Sequence, residues 1–128
     1  MTKKTRLLIV DDEPGIRKLL TFHFNFLGYE TMTADNAHEA MKVLHESGPF
    51  DLIITDIRMP GPLDGIDLAE TYRKDNPNQK IVFVTGYAIE EKLNKILQNP
   101  LSICFKKPFN IRELAQSVAD CLQSGTFR

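Results

Sequence analysis

Cysteine is scarce in this chain, and strong net charge, long apolar runs and internal repeats are absent. The two cysteines, Cys104 and Cys121, lie inside apolar patterns without metal-ligand spacing, so they read as buried, reduced thiols rather than a disulfide framework or zinc site. Sixteen Lys and Arg against 17 Asp and Glu leave a formal net charge of −1, which offers no bulk attraction for DNA, RNA or an anionic membrane. The basic start, Lys3-Lys4-Thr5-Arg6, meets only four apolar residues, Leu7–Val10, before two aspartates. That run is too short for a signal peptide, and a spanning helix needs ~20 apolar residues. A cytoplasmic location without a membrane partner is expected. No linker or low-complexity tract interrupts the 128 residues, 42% hydrophobic and 26% charged, so a single domain over 1–128 is expected, with a core of about 4–122.

What the chain does have is four short hydrophobic runs that each lead to a chemical handle. Leu7-Leu8-Ile9-Val10 ends at Asp11-Asp12, and Leu52-Ile53-Ile54-Thr55 ends at Asp56. Ile81-Val82-Phe83-Val84 ends at Thr85, and Ile103-Cys104-Phe105 leads to Lys106-Lys107-Pro108. Such runs suit strands of a parallel sheet buried on both faces. In open parallel α/β sheets the chemistry gathers beyond the carboxyl ends of the strands. The pattern therefore aims three carboxylates, a hydroxyl and an ammonium at one sheet edge.

Between the runs lie helical patterns. Pro14 suits a first helical turn, and Ile16, Leu19, Leu20, His23 and Leu27 recur as a core-facing stripe until Gly28. A short strand over Glu30–Ala34 precedes a helix capped by Asn36 with Glu39. A third helix carries Ile66, Leu68, Ala69 and Tyr72, and a fourth is expected around Ile89–Gln98. Asn110 with Glu113 opens the last helix, whose apolar stripe runs through Ile111, Leu114, Ala115, Val118, Cys121 and Leu122. Strict alternation predicts one α/β domain with helices on both faces of a parallel sheet. In the first helix Phe22, Phe24 and Phe26 are spaced by two, so at ~100° per residue at least one ring must face solvent.

Three converging carboxylates repel one another and stay ionised near neutrality only around a cation. Oxygen ligands without histidine or thiolate point to Mg²⁺, with Mn²⁺ as an alternative, rather than zinc. An aspartate beside such an ion can attack phosphorus to give an aspartyl phosphate. A lysine such as Lys107 suits the role of point charge on the transferred group, and Thr85 can donate its hydroxyl. The plainer reading is that Asp11 and Asp12 cap the first helix, which leaves the register of Asp56, Thr85 and Lys107 unexplained. His23 reads as a partly buried packing residue.

Asp11-Asp12, Asp56 forty-four positions after Asp12, Met59-Pro60, Asp64-Gly65, Thr85-Gly86-Tyr87 and Lys107-Pro108-Phe109, in this order, resemble the receiver domain of two-component response regulators. The resemblance implies a flavodoxin-like (βα)5 fold with a five-stranded sheet in the order 2-1-3-4-5. It implies that Asp56 accepts a phosphoryl group and that Asp12 and Asp56 bind Mg²⁺ directly. Asp11 would bind the ion through water, and the backbone carbonyl of Arg58 would supply another ligand. Thr85 and Lys107 would clasp the phosphoryl group. The implied partner is a histidine kinase or histidine phosphotransferase four-helix bundle, met through the first helix near Ile16 and Leu19 and the loop before the last helix. The domain itself would be a monomer or weak dimer, an enzyme only in catalysing its own phosphorylation and dephosphorylation. The chain is expected to be either a stand-alone relay protein or a receiver cut from a larger transcriptional regulator. A Mg²⁺-dependent aspartyl phosphatase is the rival class, but Arg58 stands where its acid/base aspartate belongs.

The departures from the family pattern bear on subtype. Cys104 occupies the place of a switch aromatic, and Phe105 beside it should point to the opposite sheet face. The loop after Asp56 has one extra residue, Pro62 or Leu63, and the usual Gly-Ala signal before the fifth strand is absent around Asn99-Pro100-Leu101-Ser102. Arg58 and Tyr87, both large, flank the approach of water to an acyl phosphate on Asp56, which predicts a long-lived phosphorylated state.

Overall fold

The protein is described by a computed structural model that covers residues 3–86 and 91–128. Its elements follow one another as β1 (Arg6–Val10), α1 (Pro14–Phe26), β2 (Glu30–Ala34), α2 (Ala37–Ser47), β3 (Leu52–Asp56), α3 (Gly65–Asp75), β4 (Lys80–Thr85), α4 (Glu91–Ile96), β5 (Ser102–Lys106) and α5 (Ile111–Ser124). The five strands form one parallel sheet in the order β2-β1-β3-β4-β5.

Alternation along each buried strand divides the core in two. Leu8, Val10, Ile53, Ile81 and Phe83 point to the side covered by α2, α3 and α4, where Ala40, Leu44, Leu68 and Leu93 meet them. Leu7, Ile9, Leu52, Ile54, Val82 and Val84 point to the side covered by α1 and α5, where Leu20, Phe24, Leu114 and Val118 close the layer. The central strands are buried on both faces, as their unbroken apolar runs require. Edge strand β2 is only half-buried, because it has one neighbour and one wet side.

Register then fixes the working edge. Val10 pairs with Thr55, Asp56 with Val84, and Thr85 with Lys106, so the strand ends that carry the polar residues line up. Three asparagine and aspartate caps start the following helices. Asn36 accepts from the Glu39 amide and Asn110 from those of Arg112 and Glu113. Asp64 and Asp67 form a full two-way capping box at α3, which sequence inspection passed over because Asp67 replaces the customary Glu or Gln.

Two expectations are corrected. The buried face of α1 is Leu20 and Phe24, with Ile16 and His23 only partly covered, whereas Leu19 and Leu27 face solvent. A 13-residue helix with apolar residues on both sides can turn either face inward, and here the larger Phe24 ring fills the layer against Tyr29, edge-on at 5.6 Å between centroids. Helix α4 ends at Ile96, not Gln98, its close made by turns from Gln98 to Lys95 and Asn99 to Ile96. The expected start near Ile89, and Tyr87, lie outside the described residues. The neighbouring pair on β5 behaves as expected: Cys104 joins the α4 side and Phe105 the α1–α5 side. Burial pushes the Cys104 thiol up to about 11, and Cys121 is fully buried, so both remain thiols. Among the described residues no helix is long and apolar enough to cross a membrane.

Candidate functional site

At the carboxyl edge of β1 and β3 one carboxylate oxygen from each of Asp11, Asp12, Glu13 and Asp56 lies within 4.8 Å of the others. Asp11 and Asp56 are buried, while Asp12 and Glu13 face solvent. The turn leading into α1 is shaped locally: Asp11 Oδ1 accepts from the Glu13 amide at 2.8 Å, and Arg17 donates to the Asp11 carbonyl at 2.6 Å. Neither aspartate caps α1. The capping position is Glu13, whose side chain makes no cap hydrogen bond. The helix-capping explanation of Asp11-Asp12 therefore falls, and the carboxylates are turned toward one another instead.

Lys107 enters from the opposite side. Its amide donates to the Thr85 carbonyl at 2.7 Å, so the ends of β4 and β5 are tied together, and the Lys107–Pro108 peptide is cis. The ammonium then reaches Asp11 Oδ2 at 3.0 Å, Asp56 Oδ2 at 3.1 Å and Glu13 Oε1 at 3.1 Å. Thr85 is buried at the end of β4, and Arg58 stands two residues after Asp56 with an exposed side chain. The turn after Asp56 is anchored from both sides: Ile57 N–H donates to Val84 O, and Gly65 N–H to Ile57 O at 2.7 Å.

The electrostatics follow from this crowding. Burial, then the Asp11 charge, pushes the Asp56 carboxyl up to about 6 despite the Lys107 ammonium. Burial raises Asp11 as well, against the pull of the Glu13 amide and Lys107. Burial works against the Lys107 charge, but Asp11, Asp56 and Glu13 outweigh it and hold the ammonium above its ordinary value. Asp11 Oδ2 is buried and accepts no aligned hydrogen bond; its contact with Lys107 is ionic only. An oxygen left in that state, among four carboxylates with no nitrogen or sulfur ligand among the described residues, suits a hard divalent cation such as Mg²⁺ or Mn²⁺.

Asp11, Asp12, Asp56, Thr85 and Lys107 are thus gathered at one edge, and Arg58 borders it. Sequence reading missed Glu13 as a member. Its acidic neighbours were the available signal, but an exposed glutamate at a helix start is ordinary until Lys107 is seen to reach it. It also missed the link from Lys92 on α4 to Asp67 at 2.7 Å and Asp64 at 3.5 Å, which ties α4 to the start of α3.

Comparison with known proteins bears on the fold and on the family. A family model described as response regulator receiver domain matches residues 7–119. Sporulation initiation phosphotransferase F of Bacillus subtilis is 33% identical over 88% of this chain and 90% of its own. Several other relatives are longer, and the chain spans between 12% and 47% of them. Among solved structures, a CheY-like receiver domain protein from Methanospirillum hungatei superposes with a TM-score of 0.85 at 31% identity, covering 96% of this chain and 97% of the other. Response regulator TrrA from Thermotoga maritima, solved in complex with Mg²⁺ and BeF, gives 0.76 at 38% identity, covering 91% and 97%.

Proposed function

The chain belongs to the response regulator receiver family of two-component systems, and from that membership we propose that it takes a phosphoryl group from a phosphohistidine onto Asp56. The carrying observation is the convergence of Lys107 Nζ, Asp11 and Asp56 within 3.0–3.1 Å at the sheet edge. A carboxylate oxygen of Asp56 attacks phosphorus, the phosphorus–nitrogen bond breaks, and the imidazole leaves with the electron pair. Lys107 and the Thr85 hydroxyl hold oxygens of the transferred group, and the return step is attack by water with Asp56 as leaving group. Asp12 and Asp56, with the Arg58 carbonyl and Asp11 through water, would hold Mg²⁺, which supplies charge neutralisation to the phosphoryl oxygens. A donor in a histidine kinase or phosphotransferase bundle would approach along α1. The relay role finds support in the phosphotransferase named among the relatives. Domain extent over 1–128 and the slowing of hydrolysis by Arg58 and Tyr87 belong to the same reading.

The test is intact-mass measurement after incubation with acetyl phosphate and Mg²⁺. One hydroxylamine-labile phosphoryl group should appear, mapping to Asp56, and Asp56→Asn should remove it. A phosphoryl group on Ser, Thr or His would overturn the assignment.

The raised Asp56 acid adds a pH signature. A carboxyl whose folded pKa lies above its unfolded value holds its proton more tightly when folded. The metal-free fold therefore loses stability through this group as pH rises from about 4 to about 6. Mg²⁺ competes with that proton, so its affinity should fall roughly tenfold per pH unit below about 6. Calorimetric Mg²⁺ titrations between pH 5 and 8 check this, and an affinity flat across the range would remove Asp56 from the ligand set.

A further inference from the structure

Helix α1 and the residue that caps its end carry every large apolar side chain exposed among the described residues: Leu19 at 46%, Phe22 at 76%, Phe26 at 80% and Leu27 at 50%. Three of them fall on one line. Positions 15, 19, 22 and 26 advance by four, three and four, and at ~100° per residue they make a single seam of the kind that packs helix on helix. Leu20 and Phe24, both fully buried, lie on the opposite side of the helix. The seam starts at Gly15, which is exposed and where an added Cβ would meet nothing within 4 Å.

We propose that this seam is the interface of a two-fold homodimer in which α1 packs antiparallel against α1 of a second copy. The spacing is self-complementary. About a two-fold midway between residues 20 and 21, Leu19 faces Phe22 of the second copy, and Phe26 faces its Gly15. The most exposed ring thus meets the one seam position with no side chain, on a surface that its own fold leaves open. Parallel pairing would instead set Phe26 against Phe26 and leave the glycines opposite each other. Charge selects the same direction. Helix α1 has Arg17 and Lys18 near its start and no carboxylate. Arg17 turns to its own Asp11 carbonyl, but Lys18 flanks the seam; antiparallel packing places it toward the carbonyl end of the opposing helix, where positive charge is favoured, and parallel packing would set it beside the second copy's Lys18. A net charge of −1 gives no global repulsion between copies.

The area limits the strength. Phenylalanines offer ~150–250 Å² each, so the three exposed seam side chains present roughly 400 Å² per copy. That reaches the ~1,200 Å² total of a stable interface only when the flanking Lys18, His23 and Asn25 join it, so the dimer is weak and reversible. The seam runs from beside the acidic edge to the far end of α1, so the two phosphoryl edges sit at opposite ends of the pair. A second copy seated there covers the α1 face along which a phosphodonor would arrive; this last consequence alone rests on the proposed function.

Analytical ultracentrifugation of the full, unphosphorylated chain without Mg²⁺ tests the interface apart from any phosphoryl chemistry. From ~10 μM to ~1 mM the weight-average mass should rise from monomer toward dimer, with Kd on the order of 10⁻⁴ M. Phe26→Glu and Gly15→Gln should each raise Kd at least about tenfold, with unchanged circular dichroism and melting, since both positions are exposed. Gly15→Gln is decisive, because it removes no apolar surface and fills only the place where Phe26 of the second copy seats. A chain monomeric at ~1 mM, as expected if this face serves another protein alone, overturns the proposal. So does a Gly15→Gln variant that associates like the wild type, which would mark a sticky surface without this register.

Discussion

Gly65→Ala is expected to lower both the stability of the fold and its phosphoryl acceptance. A Cβ at residue 65 would sit 2.1 Å from the Asp56 carbonyl oxygen and 3.0 Å from Ile57 Cα. Those atoms are backbone, and they are held by the Gly65 N–H to Ile57 O bond and by β3–β4 pairing, so no flexible side chain can yield. Either α3 shifts outward with its Asp64–Asp67 box, or the turn carrying Asp56 moves. Overpacking of this kind costs about 3 kcal/mol, the upper part of its usual range, and a loss of that size lowers the melting temperature by ~10 °C in a domain of this length. Thermal and urea unfolding measure the first effect, and acetyl phosphate labelling of the folded variant measures the second. Gly15→Ala is the control: its Cβ meets nothing within 4 Å, so it should match the wild type or exceed it slightly. Equal stability of Gly65→Ala and wild type would mean that α3 does not approach the Asp56 turn this closely.

Lys107→Ala should give the second large effect, and its sign depends on the metal. The ammonium is mostly buried and faces Asp11, Glu13 and Asp56, of which Asp11 and Asp56 are buried as well. Removing one member of a buried ion pair costs about 3–5 kcal/mol when the other is left charged. Protonation of Asp56 and Asp11, whose acids burial already raises, relieves part of that cost in acid. In metal-free buffer above about pH 6 the variant should therefore melt well below the wild type, and the gap should narrow toward pH 5. Millimolar Mg²⁺ should restore more stability to the variant than it adds to the wild type, because the ion no longer competes with an ammonium. Phosphorylation should nevertheless fall by about a hundredfold or more, since the transferred oxygens lose a fixed positive charge. Differential scanning calorimetry with and without Mg²⁺, beside a labelling time course, separates the two roles. A variant with wild-type labelling rates would show that Lys107 only balances charge in the resting site.

Much of this protein is written in short-range pattern. Short runs such as Leu52–Thr55 and Ile81–Val84 suit strands buried on both faces, and strict alternation with helices leaves a doubly covered parallel sheet. Because Asp11, Asp56, Thr85 and Lys107 each sit at a run's end, their meeting at one edge followed from strand register without side-chain coordinates. Neutral overall charge and reduced cysteines were legible from composition alone.

The tertiary structure decided what pattern left degenerate. Helix α1 has one apolar face at Leu20 and Phe24 and another at Leu19, Phe22 and Phe26, and hydrophobicity does not rank them; only the shape of the layer between α1 and α5 chose which to bury. Glu13 became part of the site because Lys107, 94 residues away, reaches it across the sheet edge. Asp64, Asp67 and Lys92 became a link between α3 and α4 for the same reason, and Gly65 became critical because a helix start lies against the Asp56 carbonyl. Local periodicity reports which residues seek the interior and where elements begin. Which of two apolar faces is covered, and which distant charges meet, depends on how the layers pack, a long-range property that no window of the chain contains.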